Sequence, residues 1–316
     1  MHRAVHSPRR TIRQTEAREF TPTIWQDAVG GDGAEMTTAF VLSGGGNLGA
    51  VQVGMLRSLF AAYVRPDLIV GTSVGAVNGG WLAGRGASAD LDELGTLWRN
   101  LHRSDVFPVN FVGGLRGFVG RTDHLVSAAG LRKILKRELT IDRLEEARIP
   151  FHVVATDITS GRDHLLSSGD AVDAICASAA IPGVFPSVNI DGRHLVDGGV
   201  VNNCPISHAV SLGATNVWVL PCGYACSLEA APRSALASAL QAVSLLIQQR
   251  LRHDAERYAT QITLHIVPTL CPVRVAPTDF SQADRLIEDA AELTAAWLLD
   301  PSLPTADPLG PHAHHH

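Results

Sequence analysis

Short, almost wholly apolar runs alternate along this chain with longer stretches in which apolar residues recur every three to four positions. The runs near 38–43, 67–71, 151–157, 216–220 and 262–267 read as buried strands, and the periodic stretches near 48–63, 74–84, 90–101, 128–138, 170–179, 234–258 and 281–299 read as helices. Ile181-Pro182-Gly183 stops the fifth of these helices. Strands that are apolar on both faces and separated by helices predict a three-layer α/β/α fold around a mostly parallel central sheet. No internal repeat and no linker interrupts the alternation, so one domain over 36–300 is expected. Residues 1–35 are polar, rich in arginine and without periodicity, and residues 301–316 hold several prolines and end in three histidines. Both are read as tails, the second as a tail or tag and not a metal site.

Two glycine-rich turns directly follow the first two strand patterns. Phe40-Val41-Leu42 runs into Ser43-Gly44-Gly45-Gly46-Asn47-Leu48-Gly49, and Leu68-Ile69-Val70 runs into Gly71-Thr72-Ser73-Val74-Gly75. The second turn fits G-x-S-x-G, which lifts a serine out of a strand-to-helix elbow. The first offers a row of backbone N–H groups suited to a developing oxyanion. Gly44, Gly46 and Gly49 also fit the dinucleotide pattern G-x-G-x-x-G. That pattern wants an acid at the end of the second strand, whereas Asp67 stands at its start and Gly71-Thr72-Ser73 at its end. A serine nucleophile needs a base. His208, His253 and His265 follow Ser73 but sit in helix or strand patterns and read as structural or surface residues. Asp197, in Asp197-Gly198-Gly199 ahead of Asn202-Asn203, is the alternative base. Only one strand precedes Ser73, which fits the α/β-hydrolase layout poorly.

Taken in order, Gly44 to Gly49, Gly71 to Gly75, Ala177-Ser178-Ala179-Ala180-Ile181-Pro182-Gly183-Val184-Phe185-Pro186 and Asp197-Gly198-Gly199 resemble the patatin-like phospholipase family over roughly 36–300. The resemblance implies a patatin-like α/β fold and a serine lipid acyl hydrolase of phospholipase A, lysophospholipase or esterase type. It implies a Ser73–Asp197 dyad without histidine and an oxyanion hole from the amides of Gly44, Gly45 and Gly46. Asp197 is expected in a partly dehydrated setting that raises its basicity. Leu48 stands where such proteins usually carry Arg or Lys, which weakens the case for anionic lipids unless Arg57 or Arg116 compensates. The rival readings are a nucleotide-binding protein of Rossmann type and a catalytically silent interaction protein.

Composition narrows the partners. The 316 residues are 46% hydrophobic and 18% charged, as in a folded domain, and the net charge of −5 argues against nucleic acid. No apolar run reaches the roughly 18 residues of a membrane span, and no signal-peptide pattern opens the chain. A cytoplasmic location is expected, with peripheral membrane contact as a secondary expectation; oligomeric state is left open. Cys176, Cys204, Cys222, Cys226 and Cys271 are odd in number and irregularly spaced, so thiols are expected in place of a disulfide framework, and neither a metal nor a cofactor is expected. The apolar, glycine-rich stretch 106–120, with Phe107, Phe111 and Phe118, reads either as a cap over an acyl groove or as a loop packed into the core. Leu236, Leu240, Val243, Leu246 and Ile247 form a stripe expected to pack into the core.

Overall fold

A computed structural model of the chain describes residues 36–107, 124–223, 231, 235–271, 273, 275 and 278–302. Their strands are β1 (Thr38–Leu42), β2 (Leu68–Thr72), β3 (Phe151–Asp157), β4 (Arg162–Leu166), β5 (Val188–Ile190), β6 (Arg193–Asp197), β7 (Asn216–Leu220) and β8 (Thr263–Ile266). Their helices are α1 (Gly49–Ala61), α2 (Val74–Arg85), α3 (Leu91–Arg99), α4 (Arg103–Val106), α5 (Ala129–Glu138), α6 (Ala171–Ser178), α7 (Ile206–Ser211), α8 (Ala235–Tyr258) and α9 (Ala283–Leu299).

The strands form one sheet in the order β5-β6-β3-β2-β1-β7-β8, with β4 also paired to β3. The pairs β1–β2, β1–β7, β2–β3 and β7–β8 are parallel; β1, β2 and β7 are buried on both faces, as expected for a parallel sheet, while the edge strand β8 is half-buried. Alternate residues serve the two faces. Ala39, Val41, Val70, Val154, Val217 and Val219 pack with Ile206 and Ala209 of α7 and Leu251 of α8. On the other face α2 lies so close that a side chain at Gly79 would touch Ile69 and Phe151. Helix α9 buries Leu286, Ile287, Ala290 and Leu298, and the Ser58 hydroxyl of α1 donates to the Ala291 carbonyl at 2.7 Å. The three-layer α/β/α fold expected from the alternation is therefore present.

The antiparallel strands β4, β5 and β6 were not anticipated, and they position the site. Strand β4 covers one edge of β3 over 153–157. Along the opposite edge β2 and β6 follow one another: Thr72 stands opposite Val154, and Asp197 opposite Ala155. The ends of β2 and β6 thus meet head to head over two consecutive residues of β3. Ser73 and Asp197 are brought together by strand register, though 124 residues separate them in the chain.

Two expectations need correction. Val243 and Leu246 of α8 are 51% and 70% exposed and Ile247 is half-buried, so these members of the stripe do not pack into the core; the side chains of Leu236 and Leu240 lie outside the described residues. The buried face of α8 runs instead through Gln248, Leu251, Asp254 and Ala255. Cys176, Cys204 and Cys222 are free, but Cys271 is disulfide-bonded, so the chain does not hold thiols throughout.

Candidate active site

Ser73 is the single residue between β2 and α2 and adopts φ 54°, ψ −123°, a conformation that costs a non-glycine residue about 1–3 kcal/mol. Its carbonyl accepts the amides of Ala76 and Val77 at 2.9 and 3.2 Å, and its own amide donates to the Ser178 hydroxyl at 2.8 Å. The strain turns the side chain towards β6, where Ser73 Oγ donates to Asp197 Oδ2 at 2.6 Å. The other carboxylate oxygen, Oδ1, accepts the Gly199 amide at 2.7 Å. Burial pushes the Asp197 carboxyl up to about 6, against the opposing pull of the Ser73 and Gly199 donors.

The first glycine turn closes over this pair. Gly44 is buried, and a Cβ there would stand 3.0 Å from Ser73 Cβ and 2.5 Å from Asn203 Oδ1, so only glycine lets the turn approach Ser73. The Gly44 amide donates to Asn203 Oδ1 at 3.1 Å, while Asn203 Nδ2 donates to the Gly44 carbonyl at 3.4 Å. The Gly44 amide, one of the three oxyanion donors expected from the sequence, is thus already engaged by Asn203. Gly45 and Gly46 are exposed, and among the described residues neither amide finds an acceptor. The turn is anchored from behind: Gln52 Nε2 donates to the carbonyls of Ser43 and Leu220, each at 2.9 Å, and the Cys222 amide donates to the Ser43 hydroxyl at 2.9 Å.

Beside Ser73 and Gly46 opens an apolar cavity whose walls include Trp98, Leu101, Phe107, Leu131, Ile134 and Phe185, with no charged residue among its described lining. Phe107 stacks on Phe185 with ring centres 5.4 Å apart, and Phe280 bridges Phe107 and Trp98 at 6.4 and 6.2 Å. Trp98 Nε1 donates to Asn78 Oδ1 at 2.9 Å, and Asn78 Nδ2 donates to Gln52 Oε1 and the Gly49 carbonyl, each at 3.0 Å. A buried amide chain therefore ties the cavity wall to the glycine turn. Phe107 belongs to the apolar stretch read as a cap or a core loop and lines the cavity; Phe111, Arg116 and Phe118 lie outside the described residues.

The other candidates fall elsewhere. His208 pairs with Asp163 at 2.9 Å and holds that carboxyl well below the usual range, His253 is exposed, and His265 stacks on Trp218 with centres 4.1 Å apart. None is bonded to Ser73 or Asp197. Asp67 Oδ2 accepts the Thr38 amide at 2.7 Å, at the opposite end of β1 from the glycine turn, so it is out of place for a ribose. Arg57 pairs with Asp92 and Glu288 at 3.3 and 2.8 Å and does not substitute for a cation at Leu48. Among the described residues no cluster of three or more potential metal ligands occurs, and no helix is long and apolar enough to cross a membrane. Sequence reasoning missed Asn203 and Ser178 as site residues, although one followed the Asp197 turn and the other lay in the segment ahead of it.

The family model described as Patatin-like phospholipase matches residues 40–210. "Patatin-like phospholipase domain-containing protein 6" of Mus musculus is 28% identical over 189 residues, covering 59% of this chain and 14% of its own. "Lysophospholipase NTE1" of Mycosarcoma maydis is 30% identical over 60% of this chain and 10% of its own, and "Uncharacterized NTE family protein Mb1092c" of Mycobacterium bovis is 31% identical over 56% of this chain and 46% of its own. The matched region spans about a seventh or less of the first two relatives and just under half of the third.

Proposed function

The chain belongs to the patatin-like phospholipase family, and from that premise we propose that it hydrolyses acyl esters of lipids with Ser73 as nucleophile and Asp197 as its base. The observation that carries this reading is the 2.6 Å bond from Ser73 Oγ, which borders an apolar cavity, to the buried carboxylate of Asp197. Ser73 Oγ attacks the ester carbonyl as its proton passes to Asp197 Oδ2. The oxyanion is received by the amides of Gly45 and Gly46, each such donor contributing about 3 kcal/mol. Asp197 then protonates the departing alcohol, leaving an acyl-serine. A water that gives its proton to Asp197 attacks the acyl carbon; the proton returns to Ser73 Oγ as the fatty acid leaves. We take residues 36–300 as the unit that carries this chemistry.

The substrate follows from the walls. One apolar cavity suits a single acyl chain, and the lysophospholipase name of one relative points the same way. Leu48 and the uncharged lining favour neutral or zwitterionic esters over anionic ones. The test is a series of p-nitrophenyl esters and lysophosphatidylcholine, with fluorophosphonate labelling to identify the nucleophile. Turnover with label on Ser73, retained in His208→Gln, supports the reading; a folded chain that neither turns over nor labels overturns it.

The aromatic cluster should set chain preference. Phe107→Ala and Phe185→Ala are each expected to raise KM for dodecanoyl esters about tenfold, the loss of roughly 1.5 kcal/mol of apolar contact. KM for butanoyl esters should change less than about twofold. Equal effects on both esters would remove the rings from the acyl site.

A further inference from the structure

The β2–β3 ladder breaks at the nucleophile in an unusual way. Parallel rungs step two residues along each strand. The Ile69 amide donates to the Pro150 carbonyl at 2.9 Å. Regular continuation would carry Gly71 N–H to His152 and then Ser73 N–H to Val154. That last rung is not made directly. The Ser73 amide donates instead to Ser178 Oγ at 2.8 Å, and Ser178 Oγ donates onward to the Val154 carbonyl at 2.6 Å. A hydroxyl from the last turn of α6, fully buried, is therefore inserted between two strands as a spacer.

The insertion has geometric consequences. A direct rung would hold Ser73 in line with β2, and its side chain would not reach the end of β6. The interposed oxygen moves the Ser73 backbone off the ladder while keeping its amide and the Val154 carbonyl satisfied, as buried polar groups require. Ser73 can then hold the positive φ from which its hydroxyl meets Asp197. Two residues on, the Ala180 carbonyl accepts the Asp197 amide at 2.9 Å. The segment after α6 thus grips both members of the pair, one by a side chain and one by its backbone.

We propose that Ser178 is a positioning residue of hydrolysis: its hydroxyl replaces a sheet rung and so sets the distance between Ser73 and Asp197. The proposal rests on the hydrolase reading of the same site. Ser178→Ala removes the spacer and lets Ser73 fall back towards Val154. A misplacement of about 1 Å costs around a hundredfold in rate, so kcat per fluorophosphonate-labelled site should drop about 10- to 100-fold with KM within about twofold. Ser178→Thr, which keeps the oxygen, should recover most of kcat. A purely structural role would lower the number of labelled sites and leave kcat per site intact, and that result would overturn the proposal. A crystal structure of Ser178→Ala gives a reading that does not depend on turnover: Ser73 with its positive φ and its Asp197 bond unchanged also overturns it. Absence of turnover in the wild-type chain would sink the hydrolase reading separately, while the displacement of Ser73 in the variant would still decide the role of Ser178.

Discussion

Asp197→Asn is expected to abolish ester hydrolysis and, above neutral pH, to make the protein more stable. Both effects come from one buried charge. The Asp197 carboxyl is pushed up to about 6 because burial penalises its ionised form more than the Ser73 and Gly199 donors favour it. The folded state therefore binds the proton more tightly than the unfolded chain, whose carboxyl titrates near 4. Between those two values the folded state holds more protons, so stability falls as pH rises from about 4 to about 6 and stays lowered above that. The penalty is about 3 kcal/mol at its full extent. Asparagine carries no charge, can accept the Gly199 amide through its oxygen and can donate to Ser73 Oγ through its nitrogen. The melting temperature of Asp197→Asn relative to wild type should be near zero difference at pH 4 and grow to its maximum above pH 7. A difference that does not vary with pH would show that Asp197 is not ionised against burial. The proposed catalysis needs the form that stability disfavours. The wild-type kcat/KM should lose activity on an acid limb centred near pH 6, and the variant should fall about a thousandfold at pH 8, the scale of a lost general base. Ser73→Ala should lose activity to the same extent without the pH-dependent gain in melting temperature, because the charge stays buried.

How much of this was legible beforehand depends on the range over which the residues act. Strands β1, β2, β3 and β7 are largely buried on both faces and announce themselves locally, and β8 sits within the run 262–267. Strands β4 to β6 do not: Arg162-Asp163-His164 and Arg193-His194 are polar, and β5 has three residues, so these segments become strands through antiparallel pairing along β3 and with one another. Ser73 and Asp197 could be read from the glycine turns around them, since a turn is a local event. The occupation of the Gly44 amide could not, because its acceptor lies 159 residues away on Asn203. Helix α8 was misread for a related reason. Its buried face carries Gln248 and Asp254, the latter paired with Arg250 at 2.9 Å, so polarity on the inner face and Val243 and Leu246 on the outer face reversed the expected periodicity.

Gly75→Ala is expected to cost much of the fold's stability through one added methyl. Gly75 lies in the first turn of α2, against the carbonyl end of β1. A Cβ there would run into the Leu42 carbonyl oxygen and stand 2.6 Å from that of Ser43, both backbone atoms of a buried strand end. No side-chain rotation relieves such a contact, so α2 and the glycine turn must separate. Overpacking of this kind costs about 3 kcal/mol, which lowers the melting temperature by about 5 °C in a chain of this size. The damage should extend to chemistry. Moving α2 away from β1 moves Ser73 away from Gly45 and Gly46, so the amides proposed to receive the oxyanion would no longer meet it. In the fraction that stays folded, kcat should fall about a hundredfold while KM holds. Gly161→Ala is the control: a Cβ at Gly161 meets nothing within 4 Å, its φ of +68° strains alanine locally, and the β3–β4 turn that holds it lies away from the dyad. That variant should lose stability and keep kcat. If Gly75→Ala likewise kept kcat per labelled site, the glycine of the serine turn would serve helix packing alone, and the link between the two glycine turns would have to be abandoned.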